Sequence, residues 1–146
     1  MGAVDATQRV WRLRPTTYDQ EKFLLHLTNT ILHLSDLHVD MNEEPMKRLE
    51  AILPGLEYDI CVLTGDYRGH TFGPHEAALA GMSKICSKIT KPIYGVLGNH
   101  DTIRMLPGLE QMGIRMLLNE CVTIERDNAR IHLAGLDAAF SILSAR

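Results

Sequence analysis

The chain has 146 residues, 45% of them hydrophobic, enough apolar material for one domain built on one core. Its formal net charge of −3, with acids and bases interspersed, excludes a nucleic-acid or membrane surface built on bulk charge, so a polyanion would have to be held at a local site. Cys61, Cys86 and Cys121 lie in apolar segments without CxxC spacing and read as buried thiols of a cytoplasmic protein, at most peripheral to a membrane; no apolar run reaches the roughly 18 residues of a span, and no signal peptide opens the chain.

Residues 1–29, with Pro15 and mixed charge, read as an N-terminal arm carrying one short helix, and residues 30–146 as the folded domain. TILHL (30–34) is a β-rich run that stops at Ser35-Asp36 and predicts the first strand. Over 42–53, Met46, Leu49, Ile52 and Leu53 share one helical face, with Asn42 as cap and Pro54-Gly55 as stop. YDICVL (58–63) predicts a second buried strand, broken at Thr64-Gly65-Asp66, and residues 75–89 a second helix on Leu79, Met82, Ile85, Cys86 and Ile89. A third strand spans 92–97. Beyond it come a short helical piece at 106–112, interrupted by Pro107, and β-rich runs at 114–118, 122–125 and 131–136, the last two joined by a turn at Asp127-Asn128. Strands alternating with amphipathic helices predict an α/β fold of βαβ units around a mainly parallel sheet.

Each of the first three predicted strands runs out into a polar cluster: Ser35-Asp36-Leu37-His38, Gly65-Asp66 and Gly98-Asn99-His100-Asp101. Ligands of open α/β sheets bind beyond the carboxyl ends of the strands, so the three clusters converge on one site. Asp36 and His38 are two apart, and on an extended segment both side chains point the same way and can grip one cation through oxygen and nitrogen. Asp66 has two carboxylate oxygens with which to bridge that cation to a second, whose near side the Asn99 carbonyl oxygen completes. Two ions roughly 3.5–4 Å apart clamp an in-line displacement at phosphorus. Oxygen with imidazole suits Mn²⁺, Fe²⁺/³⁺ or Zn²⁺ without choosing among them. His100 is placed to donate a proton to a phosphoryl oxygen or leaving group, with Asp101 on its other ring nitrogen to fix the tautomer. Gly65 and Gly98 let the backbone approach the ions without a Cβ in the way. Arg68 and His70, in the loop after Asp66, are candidates for contact with a substrate phosphate.

In this order and after these strands, Asp36-Leu37-His38, Gly65-Asp66 and Gly98-Asn99-His100-Asp101 resemble the first half of a calcineurin-like metallophosphoesterase, over about residues 30–137. GNHD is the most specific piece, arising by chance in such a chain roughly once in a thousand. The resemblance implies the first half of a four-layer α/β/β/α sandwich with its second sheet incomplete. It also implies two divalent metal ions, with Asp36 and His38 on the first, Asp66 bridging and Asn99 on the second. The implied reaction is hydrolysis of a phosphoester or pyrophosphate by metal-bound hydroxide, with His100 as general acid. ILHLSDLHVD and YGVLGNHD look most like the bacterial branch that includes UDP-2,3-diacylglucosamine pyrophosphatase-like phosphohydrolases, which implies a phosphorylated small-molecule or lipid-linked substrate.

The chain also departs from that pattern. Gly69 in GDYRG stands three positions beyond Asp66, where the family usually carries an acidic or amide residue that supports the site. The family's second half supplies three further metal-binding histidines, two of them in a Gly-His-x-His stretch. No such stretch occurs before Arg146, and His132, inside an apolar alternating run, does not replace them. The expectation is therefore a C-terminally truncated domain. Its alternative to an enzyme is a catalytically inactive fragment that binds metal or phosphate weakly or acts as an interaction module. His26, His33, His70 and His75 have no ligand spacing to one another and read as ordinary surface or core residues. The absence of a GxGxxG loop after any strand excludes a dinucleotide-binding module.

Overall fold

The computed structural model of the chain describes residues 9–12, 30–41, 43–126 and 129–136. Within the expected arm, Arg9–Arg12 forms a strand, β1, antiparallel to β2 (Thr30–Leu34). The short helix predicted for that arm lies outside the described residues. Three more strands, β3 (Ile60–Leu63), β4 (Ile93–Gly95) and β5 (Ile114–Met116), extend the sheet from β2 in parallel and in chain order. The crossovers run through α1 (Glu43–Ile52), α2 (Glu76–Cys86) and α3 (Leu106–Gln111). When parallel strands are laid down in chain order, right-handed crossovers all turn to the same side, so the helices share one face of the sheet. Consistently, α1 packs on α2 and α2 on α3.

The strand register shows what meets the helices. Leu32, Cys61, Ile93 and Ile114 make one transverse row, and Leu34, Leu63 and Met116 lie in the next; all are buried with Met46, Leu49, Met82, Ile85 and Leu109 of the helices. Full burial of such a side chain stabilises by about 1.5–3 kcal/mol, so this face holds the strand ends in register. Gly95 completes the second row, and a Cβ there would lie 2.9 Å from the Tyr67 hydroxyl, which donates to the Val96 carbonyl at 2.8 Å.

The opposite face carries the buried Ile60 together with Ile31, His33, Val62, Tyr94 and Arg115, none of the latter five fully buried. Against it lies a hairpin of β6 (Glu120–Arg126) and β7 (Ala129–Gly135), a second, antiparallel sheet. Val122, Ile124, Ile131 and Leu133 are buried or half-buried, whereas the alternate residues Cys121, Thr123, Glu125, Arg130 and His132 are exposed. One end of the hairpin abuts the main sheet at Gly135, where a Cβ would come within 2.3 Å of the Leu117 carbonyl oxygen; at the other, Arg126 pairs with Asp59.

Several details depart from the sequence expectations. Cys121 is exposed rather than buried, because it falls on the outer side of β6. Pro107 sits in the first turn of α3, where its missing N–H leaves no bond unmade, so it opens that helix instead of interrupting it. As Pro54-Gly55 predicts, α1 stops at Ile52 and a 3₁₀ turn follows over Leu53–Gly55. The Asn42 cap and the Asp127-Asn128 turn lie outside the described residues, although Arg126 and Ala129 pair on either side of the latter. Among the described residues no helix is long and apolar enough to cross a membrane.

Candidate metal centre

Beyond the carboxyl ends of β2, β3 and β4 the chain continues as three loops that are bonded to one another. The β2–β3 pairing carries on past the strands: Asp36 N–H donates to the Gly65 carbonyl at 3.2 Å, His38 N–H to that of Asp66 at 3.1 Å and Val39 N–H to that of Tyr67 at 2.9 Å. The loops after β3 and β4 meet through glycines. A Cβ on Gly65 would lie 2.1 Å from the Gly98 nitrogen, and one on Gly98 would lie 2.3 Å from the Asp66 Oδ1. What these two glycines make room for is therefore each other's loop, not an ion directly.

Asp101 closes the same seam. Its carboxylate accepts the backbone N–H groups of Asp66 (2.8 Å), Tyr67 (2.9 Å), Arg68 (3.4 Å) and Gly98 (2.8 Å). Burial pushes its pKa up, against the pull of those four donors. The predicted contact of Asp101 with the His100 ring is corrected by this geometry. His100 Nδ1 instead faces the Gly69 carbonyl at 2.9 Å, with the Thr71 hydroxyl at 3.5 Å. A carbonyl only accepts, so Nδ1 carries the proton and Nε2 is the nitrogen left for chemistry. Gly69 thus supports the site through its main chain, at the position where the resemblance implies a supporting side chain.

Asp36, His38 and Asp66 come together, offering one ligand atom each, all within 4.8 Å of one another. Asp36 and His38 do not sit on an extended segment, as the sequence predicts, but like Asp66 on left-handed backbone, with φ of 53°, 43° and 54° for Asp36, His38 and Asp66. Residues with a Cβ rarely adopt this region, and holding one there costs on the order of 1–3 kcal/mol, sustained only where the surroundings over-determine it. The Nε2 of His38 is buried and has no hydrogen-bond partner among the described residues. Such an orphaned polar atom costs about 1–3 kcal/mol, a cost that a cation between the two carboxylates would relieve. Asp66 is oriented by the His100 N–H, which donates to its Oδ1 at 2.9 Å, and Asp36 accepts the Ser35 hydroxyl at 2.5 Å on Oδ2. Two carboxylates and an imidazole form a donor set that fits a divalent cation. The His100 ring stands 5.4 Å from that of His38, tilted by 42°.

Of the other predicted site residues, Asn99 is exposed on the turn that leads into His100, and His70 is exposed on the loop after Asp66. Arg68 does not face a substrate. It is 3% exposed, and its guanidinium donates to the carbonyls of His100 (2.6 Å), Gly73 (3.1 Å) and Thr71. His132 stays on the outer side of β7 with the Thr123 hydroxyl, and His33 on the second face with that of Thr64. Sequence reasoning missed Asp40, whose carboxylate holds the Gly69 N–H at 2.8 Å, and the orienting carbonyl of Gly69 itself; the glycine at an unexpected position was the available signal.

A family model described as calcineurin-like phosphoesterase matches residues 29–135. The uncharacterized metallophosphoesterase YkoQ of Bacillus subtilis (strain 168) is 34% identical over 117 residues, which are 73% of this chain and 42% of the relative. The chain thus spans less than half the length of that curated relative.

Proposed function

The chain belongs to the calcineurin-like phosphoesterase family, and from that premise we propose that Asp36, His38 and Asp66 hold one divalent cation while Asn99 joins Asp66 in holding a second. The proposed reaction is hydrolysis of a phosphoester or pyrophosphate bond, with His100 as proton donor. The buried Nε2 of His38, without a partner among the described residues, and the approach of that ring to two carboxylates on left-handed backbone support this most directly. When bound, divalent ions (Mn²⁺, Fe²⁺/³⁺ or Zn²⁺) lower the pKa of water and neutralise phosphoryl oxygens.

The protein's own part follows from its contacts. Asp66 has one oxygen fixed by the His100 N–H, which leaves its Oδ2 for cations. Because His100 Nδ1–H is held by the Gly69 carbonyl, its imidazolium form donates from Nε2 to a leaving-group oxygen. Asp101 keeps the two ligand-bearing loops in register rather than touching the reacting atoms. The substrate class we propose is a phosphorylated small molecule or a lipid-linked phosphate, with the exposed His70 as a contact for it.

The test is hydrolysis of bis-p-nitrophenyl phosphate and p-nitrophenyl phosphate by the purified chain with added Mn²⁺, with metal counted per chain. Asp66→Ala is expected to lose both metal and turnover. In His100→Ala turnover falls by about 10²–10⁴ with metal retained. An unaltered chain that neither binds metal nor turns over sinks the proposal and favours the non-catalytic alternative.

A further inference from the structure

Arg68 is the buried charged side chain of the described residues, and among them no carboxylate lies within ion-pair distance of it. A guanidinium cannot shed its charge, so its burial has to be compensated by hydrogen bonds, and here the partners are three main-chain carbonyls. Two belong to the loop that follows, Thr71 and Gly73, and the third belongs to His100, 32 residues along the chain. The same loop supplies the Gly69 carbonyl on His100 Nδ1 and the Thr71 hydroxyl near it. Arg68 therefore fastens the loop that orients the imidazole to the backbone of the residue that bears it.

Resting on the reading of His100 as proton donor, we propose that Arg68 is a positioning residue: by clamping the 69–73 loop to His100 it keeps the Gly69 carbonyl on Nδ1, and so leaves Nε2 free for the substrate. The planar fork is what the task requires, since its nitrogens point at three carbonyls in different directions. A lysine offers one point charge and cannot hold all three. With the clamp loosened, the Gly69 carbonyl drifts from Nδ1 and the ring proton is no longer confined there. The ring is then no longer held with Nδ1 turned to Gly69, and the direction in which Nε2 can offer its proton to a leaving-group oxygen is lost.

The experiment reads the ring rather than the reaction. Long-range ¹H–¹⁵N correlation spectra of the metal-free, ¹⁵N-labelled chain, at about pH 8 where neutral imidazole predominates, report which nitrogen of each histidine carries the proton. His100 is assigned by its loss in His100→Asn. The unaltered chain is expected to show His100 as the Nδ1–H tautomer. In Arg68→Lys and Arg68→Ala that signal moves towards the Nε2–H pattern, while His33 and His132 keep theirs. Where the chain hydrolyses bis-p-nitrophenyl phosphate, kcat falls about tenfold or more in Arg68→Lys with KM within about twofold. A folded Arg68→Lys chain whose His100 remains wholly Nδ1–H overturns the proposal. So does an Arg68→Lys chain that no longer unfolds cooperatively, since Arg68 would then serve the fold and not the ring. Because the tautomer is read without metal or substrate, a chain without hydrolysis counts against the phosphoesterase proposal alone, and an unmoved tautomer against Arg68 alone.

Discussion

His38 is held at φ 43° with a buried ring nitrogen that no described residue satisfies, so in the metal-free chain it carries a cost with no structural return among those residues. Asparagine tolerates the left-handed region and is smaller. His38→Asn is therefore expected to leave the metal-free chain as stable as before, or up to about 1 kcal/mol more stable, in keeping with the trade of stability for function. Added Mn²⁺ should raise the melting temperature of the unaltered chain through preferential binding to the folded state, and should fail to do so in the variant. Thermal melts with and without metal decide it: equal stabilisation of both chains would remove His38 from the ligand set. The thiols differ from one another just as sharply. Burial pushes Cys61 up to about 12 and Cys86 up to about 11, whereas Cys121 is exposed. In the native chain at pH 8, a thiol reagent is expected to modify Cys121 alone. Because both buried thiols have folded pKa values raised above the ordinary 9.0, their contribution to stability is complete below about pH 9 and is lost as pH rises through 11 to 12. Stability therefore falls as pH rises above about 9, and urea denaturation at a series of pH values should show a shallower fall in Cys61→Ala.

At the scale of elements, the site is three loops welded at their backbones, and Gly65 is where the weld is tightest. Its φ is 91° and a Cβ would meet the Gly98 main chain at 2.1 Å, with no flexible side chain to give way. Gly65→Ala is expected to cost at least about 2–3 kcal/mol in urea denaturation, against no more than about 0.5 kcal/mol for Gly55→Ala, whose site is open. Equal effects of the two would mean that the loops yield. The elements leading into this junction were legible because strands such as ICVL and helices such as that of Met46 and Leu49 carry their period in their apolar positions. The convergence of Asp36, His38 and Asp66 was legible for the same reason, since it follows from where parallel strands end. How they converge was not: left-handed φ at an Asp or a His leaves no mark in composition or spacing. Side chains spent on main-chain partners were equally hidden. Asp101 on four amides and Arg68 on three carbonyls read, in one dimension, as a partner for His100 and a hand for phosphate. β1 escaped because four residues give too few alternations to distinguish a strand from an irregular arm.

At the scale of the whole molecule, the two faces of the main sheet are secured unequally, and this sets an order of opening. On the helix face, Leu32, Leu63, Met82, Ile85 and Leu109 belong to one continuous core. The hairpin on the other face buries Val122 fully and Ile124, Ile131 and Leu133 in part, while its outer row faces solvent. Local opening follows the amount of apolar contact that must be given up, so the β6–β7 amides should exchange through a fluctuation of lower free energy than those of β3 and β4. The tie at the far end of the hairpin, Arg126 to Asp59, adds to its hold, and Asp59 also accepts the Thr30 N–H at 2.8 Å, joining the hairpin to the start of β2. A partly exposed pair and one hydrogen bond together contribute on the order of 1 kcal/mol. Asp59→Ala is thus expected to speed exchange across β6–β7 by up to about tenfold, leaving β3 slow. Native-state hydrogen exchange followed amide by amide tests both steps. Were β6–β7 to exchange at the same free energy as β3 in the unaltered chain, the hairpin would have to be counted part of the main cooperative unit and the unequal cover of the two faces would carry no consequence. Were Asp59→Ala to speed β3 as much as the hairpin, the Asp59 tie would belong to the sheet as a whole and not to its second layer.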